Sequence, residues 1–144
     1  MYVRSLILLA ALVASGCYSG PQIDPDAMSN AAGRQAAQFY QAVSEGRLAE
    51  AAAWFSERLR ATYRDPLTEP LLAARRADEF VVARASVDSV DWRHRTVRFR
   101  VTLTGMPKRQ EGVSTLSIPT VGTRIDAWIL EEGVWRYDGE VPGS

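Results

Sequence analysis

The 144-residue sequence contains one cysteine, Cys17, one histidine, His94, and one lysine, Lys108. A lone cysteine excludes an intrachain disulfide. One histidine and one cysteine are too few for the clustered Cys and His ligands of an ordinary zinc site. There is no glycine-rich phosphate loop and no Ser/His/Asp arrangement, so phosphate-cradling and triad chemistry lack their signatures. Charge of one sign is missing too: 17 Lys and Arg stand against 17 Asp and Glu. That balance lacks the strongly basic face that nucleic-acid binding normally calls for. The apolar run Ile7 to Val13 is too short to cross a bilayer core, which takes about 20 residues. No internal repeat and no low-complexity stretch appears, and nothing implies a cofactor.

What is present begins with an address. Arg4 precedes the apolar run, and Ala14, Ser15 and Gly16 are small residues set directly before Cys17. A basic start, a short apolar stretch and small residues form a secretory signal rather than a membrane span. The residues ASGC (14–17) resemble a bacterial lipobox, with Ala14 where leucine is most common. The resemblance implies that Cys17 receives a diacylglyceryl group and becomes the mature N-terminus, a membrane partner through lipid. Two acyl chains hold a protein firmly where one holds it reversibly. The expected location is the cell envelope. Tyr18 follows the cysteine, not the aspartate that retains such proteins at the inner membrane of enteric bacteria. In an organism with two membranes this implies the outer membrane, facing the periplasm. The organisation predicted is a signal peptide over 1–16, a flexible tether over 17–30 and a single domain over 31–141. Loss of Arg4 leaves 16 basic residues against 17 acidic (17 − 1 = 16), so the mature chain stays near neutral.

Within the domain, Ala32, Ala36, Phe39, Tyr40 and Val43 recur at three- and four-residue spacing and predict a helix from Ala31, with Gly46 placed to end it. A second short helix is expected over roughly Leu48 to Ser56, extended by Leu59 and Tyr63, before Asp65-Pro66 ends the run. Pro70 opens a third, with Thr68 as its cap. After Ala77 the period changes to two. Val97, Phe99, Val101 and Leu103 alternate with Thr96, Arg98, Arg100 and Thr102, which predicts a strand with one dry and one wet face. Phe80 to Asp91 reads as a longer strand with a bulge near Val87, Val113 to Thr120 as a weaker one. Arg124 to Leu130 and Val134 to Tyr137 form a hairpin around Gly133.

The opening FYQAVSEGRLAEAAAWFS (39–56) resembles the start of NTF2-like domains, and WILEEGVWRYDG (128–139) is similar to their last hairpin. Arg47 stands where many of them carry an acid. The resemblance implies an α+β fold, an NTF2-like cone in which N-terminal helices pack on a curved antiparallel β-sheet. It also implies a cavity that serves some members as an isomerase or dehydratase site and others as plain core; a homodimer is compatible with it.

The enzyme reading needs polar side chains converging in the cone. Asp126 is the one acid within an apolar strand, with Tyr40 or Tyr63 as its expected pocket partners. The opposite reading, which the alternation favours, turns Asp126 outward to pair with Arg98 or Arg100 while Ile125, Ala127 and Ile129 point in. The same alternation exposes Trp128. Arg95, Arg98, Arg100, Trp128 and Asp126 would then form a ligand or partner surface, while the other tryptophans mostly fill the core. No metal site is expected. The expected function is a non-enzymatic, membrane-anchored lipoprotein domain that binds an envelope protein, a cell-envelope component or a small apolar ligand. An isomerase- or dehydratase-like enzyme with a pocket carboxylate is the alternative.

Overall fold

The computed structural model describes residues 22–23, 31–77, 80–105 and 121–144. Cys17, the signal stretch and the strand expected over 113–120 lie outside the described residues.

Helix α1 spans Ala31–Ser44, and the five residues of the predicted stripe are all buried, with Gly33 and Ala42 beside them. Its end is a glycine motif. Gly46 has φ +74°, the Gly46 amide donates to the Val43 carbonyl, and the Arg47 amide donates to the Ala42 carbonyl. Only a residue without Cβ takes that conformation at little cost.

The second helix is shorter than predicted. α2 covers Leu48–Ala52, the chain turns at Ala53 and Trp54, and a new helix α3 runs Glu57–Thr62. The interruption has two causes. Phe55 bridges to Tyr137 in parallel, with the Ser56 amide donating to the Tyr137 carbonyl and the Tyr137 amide donating to the Trp54 carbonyl. Ser56 then caps α3, its Oγ accepting from the Leu59 amide at 3.1 Å and donating to Asp138 Oδ1 at 2.5 Å. A tertiary bridge and a good cap outweigh helix propensity here.

Asp65 caps a 3-10 turn at Pro66–Thr68, and α4 follows at Pro70–Ala77. Thr68 does not cap α4, since its hydroxyl donates back to the Asp65 carbonyl. Glu69 does, through one carboxylate oxygen that accepts from the Leu71 and Leu72 amides.

The sheet has strand order β1-β2-β3-β4-β5: a two-residue edge strand β1 (Gln22–Ile23), then an antiparallel meander of β2 (Phe80–Asp91), β3 (Thr96–Gly105), β4 (Val121–Glu131) and β5 (Val134–Glu140). β1 lies within the stretch expected to be a tether and pairs parallel with β2 at Arg84 and Ala85. Register shifts fall between Val82 and Arg84, between Val87 and Ser89, and between Ala127 and Trp128. Such bulges increase local twist and bend the sheet. The β4–β5 turn has Glu132 at φ +49° and Gly133 at φ +79°, the pair of positive angles that suits a two-residue hairpin. The chain is α+β, helices on a curved antiparallel sheet, as expected. α1 lies against β2 and β5, and Phe39, Tyr40, Phe55, Phe99, Trp128 and Tyr137 close the space between, each with no exposed surface.

Candidate functional site

β3 presents Val97, Phe99 and Val101 to the core and Arg98 and Arg100 to water, as its alternation predicts. β4 does the reverse of what its sequence suggests. The register sets Phe99 opposite Asp126, Val97 opposite Trp128 and Val101 opposite Arg124. Directly opposed residues share a face, so Arg124, Asp126 and Trp128 point into the core. Ile125, Ala127 and Ile129 lie on the other face, half-buried. Two expectations are corrected. Asp126 does not face outward and does not pair with Arg98 or Arg100, which stand opposite Ala127 and Ile125. Trp128 is not exposed but fully buried, packed edge-on against Phe39, Tyr40, Phe99 and Tyr137.

Asp126 is held in a polar chain that crosses the core. Tyr40 Oη donates to Asp126 Oδ2 at 2.7 Å, and Arg124 Nε donates to Asp126 Oδ1 at 2.6 Å. Arg124 also donates to Tyr137 Oη at 2.8 Å, and that hydroxyl donates to Glu69 Oε1 at 3.1 Å. Glu69 ends the chain on the α4 amides. Trp128 Nε1 points at Tyr40 Oη from 3.4 Å. Arg124 is 9 % exposed, Glu69 2 %, and Asp126, Tyr40 and Tyr137 not at all.

Burial pushes the Tyr40 and Tyr137 hydroxyls well above their ordinary range, with Asp126 reinforcing it. Burial is also the largest influence on Asp126 and raises it, opposed by Arg124 and by the Tyr40 hydrogen bond. Burial works against the Arg124 charge, but Tyr137 and Asp126 outweigh it and hold the guanidinium above its ordinary value. The rise at Asp126 favours a neutral acid, while the rise at Arg124 favours the charged partner of a carboxylate. The geometry decides between them: both Asp126 oxygens accept, which describes a carboxylate and not an acid. Glu69 is raised by burial, with the Leu72 amide and Arg124 pulling it down.

Tyr63, the other pocket tyrosine expected, is half-buried at the end of α3, and its amide donates to the Leu59 carbonyl. Arg95, Arg98 and Arg100 are exposed, and Arg100 donates to Asp88 at 2.6 Å. The expectation for the tryptophans is exchanged between two of them, because Trp92 is 72 % exposed while Trp128 is in the core. The sequence pattern does not mark Glu69, Arg124 and Tyr137 as members of one cluster. Their signals are faint: an acid directly before a helix-opening proline, and the period-two triplet Arg124, Asp126, Trp128 opposite Tyr137. A cleft of about 740 Å³ lies between α2 and the 3-10 turn, lined by Leu48, Ala52, Pro66 and Leu67 with Arg47 and Arg76, and shares no residue with the polar chain. No family model and no curated protein matches the sequence.

Proposed function

We propose that this chain is a non-enzymatic binding domain of the NTF2-like class, held at the cell envelope by lipid on Cys17, that meets its partner with its outer surface. One observation carries the non-enzymatic part. Both oxygens of Asp126 are already occupied, by Tyr40 and Arg124, inside a core with no exposure. A general base must come within about 3 Å of the proton it removes, and Asp126 has no surface open to a substrate. A carboxylate anchored by a guanidinium on one oxygen and a phenol on the other supports a structural role. The 39–56 and 128–139 resemblances, together with helices on a curved antiparallel sheet, support the class. The signal-like residues before Cys17 support the anchor.

A second reading has its own support. A tyrosine and a carboxylate are the residue types that enolising enzymes use, one to hold an oxyanion and the other to move a proton; Tyr40 and Asp126 lie together at 2.7 Å, and their mutual hydrogen bond must open for either to act. One set of proteins tests both. The intact chain should enter the detergent phase and Cys17→Ser should not; unchanged partitioning refutes the anchor. Neither should exchange the α-protons of an enolisable ketone faster than Asp126→Asn does. Exchange by the wild type that this variant abolishes establishes the enzyme instead.

A further inference from the structure

The cleft between α2 and the 3-10 turn is lined by nine residues. Leu48, Ala52, Pro66 and Leu67 are half-buried and make an apolar floor, three of them packed on the core beneath. Gly46, Arg47, Ala49, Glu50 and Arg76 are exposed and make the rim. Both sides are fixed. Asp65 holds the 3-10 turn, its Oδ1 accepting from the Leu67 amide at 3.0 Å and its carbonyl from the Thr68 amide at 3.0 Å. Arg75 ties α4 to the end of α1, donating to the Ser44 carbonyl at 3.2 Å. Its guanidinium stands 3.4 Å from where a Cβ on Gly46 would be, so the joint is close-packed. A preformed cleft costs little ordering on binding.

Charge and size narrow the occupant. Arg47 is taken up by Glu50 and, at 2.6 Å, by Glu45, which lies outside the lining. Arg76 forms no ion pair among the described residues. An open guanidinium beside an apolar floor calls for an anionic head on an apolar body, and its fork matches a carboxylate. The cleft's 740 Å³ falls within the roughly 300–1,000 Å³ of small-molecule sites. A protein partner is a poor fit, because a stable interface takes about 20–30 residues a side and nine line the cleft. Docking on a bilayer needs apolar side chains that reach into it. Among the described residues the large open ones are Val90 and Trp92, and neither lines this cleft.

We propose that this cleft binds a free single-chain amphiphile with a carboxylate head, its chain on Leu48, Ala52, Pro66 and Leu67 and its head on Arg76. This deepens the outer-surface reading above and rests on it. In the test, the intact chain in neutral phosphatidylcholine vesicles is photolabelled with octanoate bearing a diazirine at its far end, and the labelled peptides are mapped. Label should fall on residues 46–52 and 66–67. Plain octanoate should displace it and octanol should not. Arg76→Gln should weaken labelling about tenfold, the loss of one charge-assisted contact. Ala49→Glu, which sets a negative charge on the rim, should weaken it too, and Ala49→Lys should not. All three sites of change are exposed, so the melting temperature should stay nearly constant. No label in the cleft overturns the proposal, as does equal displacement by octanol or full labelling of Arg76→Gln. Arg76-dependent capture of a second population of vesicles containing phosphatidylglycerol overturns it too, since the cleft then reads a bilayer. Label around Tyr40 and Asp126 instead refutes the outer-surface reading as well, whereas label nowhere refutes this site alone. The label is mapped in the same way if the chain leaves the vesicles, so failure of the lipid anchor does not disturb the result.

Discussion

Strands β3 and β4 pair from Thr96 and Ile129 to Thr104 and Val121, and they line the same core with opposite chemistry. β3 buries Val97, Phe99 and Val101 and shows two arginines to water. β4 buries an arginine, an aspartate and a tryptophan and leaves Ile125, Ala127 and Ile129 half-covered. Apolar alternation governs burial only while no polar group has a better place inside. Arg124 and Asp126 neutralise each other, and Tyr40, Tyr137 and Glu69 satisfy what remains. Once those bonds exist, Trp128 follows into the core on the same face, adding more buried apolar area than the smaller residues of the other face would.

The sharpest way to break this comparison is to remove one charge. Arg124→Leu leaves Asp126 ionised and without a cation in the core, and should cost about 3–5 kcal/mol in urea unfolding; Asp126→Leu should cost less, because Arg124 keeps Glu140 at 3.6 Å. The double replacement should cost far less than the sum, because an apolar pair of similar volume often substitutes for a buried ion pair. A double variant as damaged as both singles together would show that the two residues act separately. On the neighbouring strand the contrast runs by single steps. Phe99→Ala should cost about 3–5 kcal/mol through lost burial and a cavity. Arg98→Ala beside it should cost about 0.5 kcal/mol or less. Equal losses would mean that β3 is set one residue off.

The smallest effect concerns the far end of the polar chain. Burial raises Glu69 above the ordinary carboxylate range of about 4.3. The folded state then holds that proton more tightly than the unfolded chain does. Its contribution to stability is full below the unfolded value and is lost as pH rises through the folded one. The melting temperature of the wild type relative to Glu69→Gln should accordingly rise as pH falls from 7 to about 4, through the ordinary carboxylate value. A difference that stays flat over this range would show that the hydrogen bonds to Glu69 cancel its burial.

The sequence makes β3 legible because every inward residue there is apolar and every neighbour polar. α1 and its glycine end are legible for the same reason, a single period held over the whole element. β4 is not, since residues 124–130 offer two alternations and the apolar one is false. Choosing between them requires Tyr40 and Tyr137, whose positions are set by helix packing and by strand pairing across long separations. The break after Ala52 is hidden in the same way, because its cause is a bond to Tyr137 more than 80 residues away. Local pattern records burial well where burial is a matter of hydrophobicity. It records it poorly where a side chain enters the core for the sake of another one.

The bridge at Phe55 carries a consequence beyond the helix it interrupts. The outer rim of a sheet offers rows of free amides and carbonyls onto which another chain can add, the usual start of aggregation and fibre growth. Here the segment Trp54 to Ser56 takes both the amide and the carbonyl of Tyr137 on β5, and Gln22–Ile23 occupies Arg84 and Ala85 on the opposite rim. Each is only a few residues long, too short to be continued as a strand. At these two points the rims are closed to strand addition by a second copy of the chain.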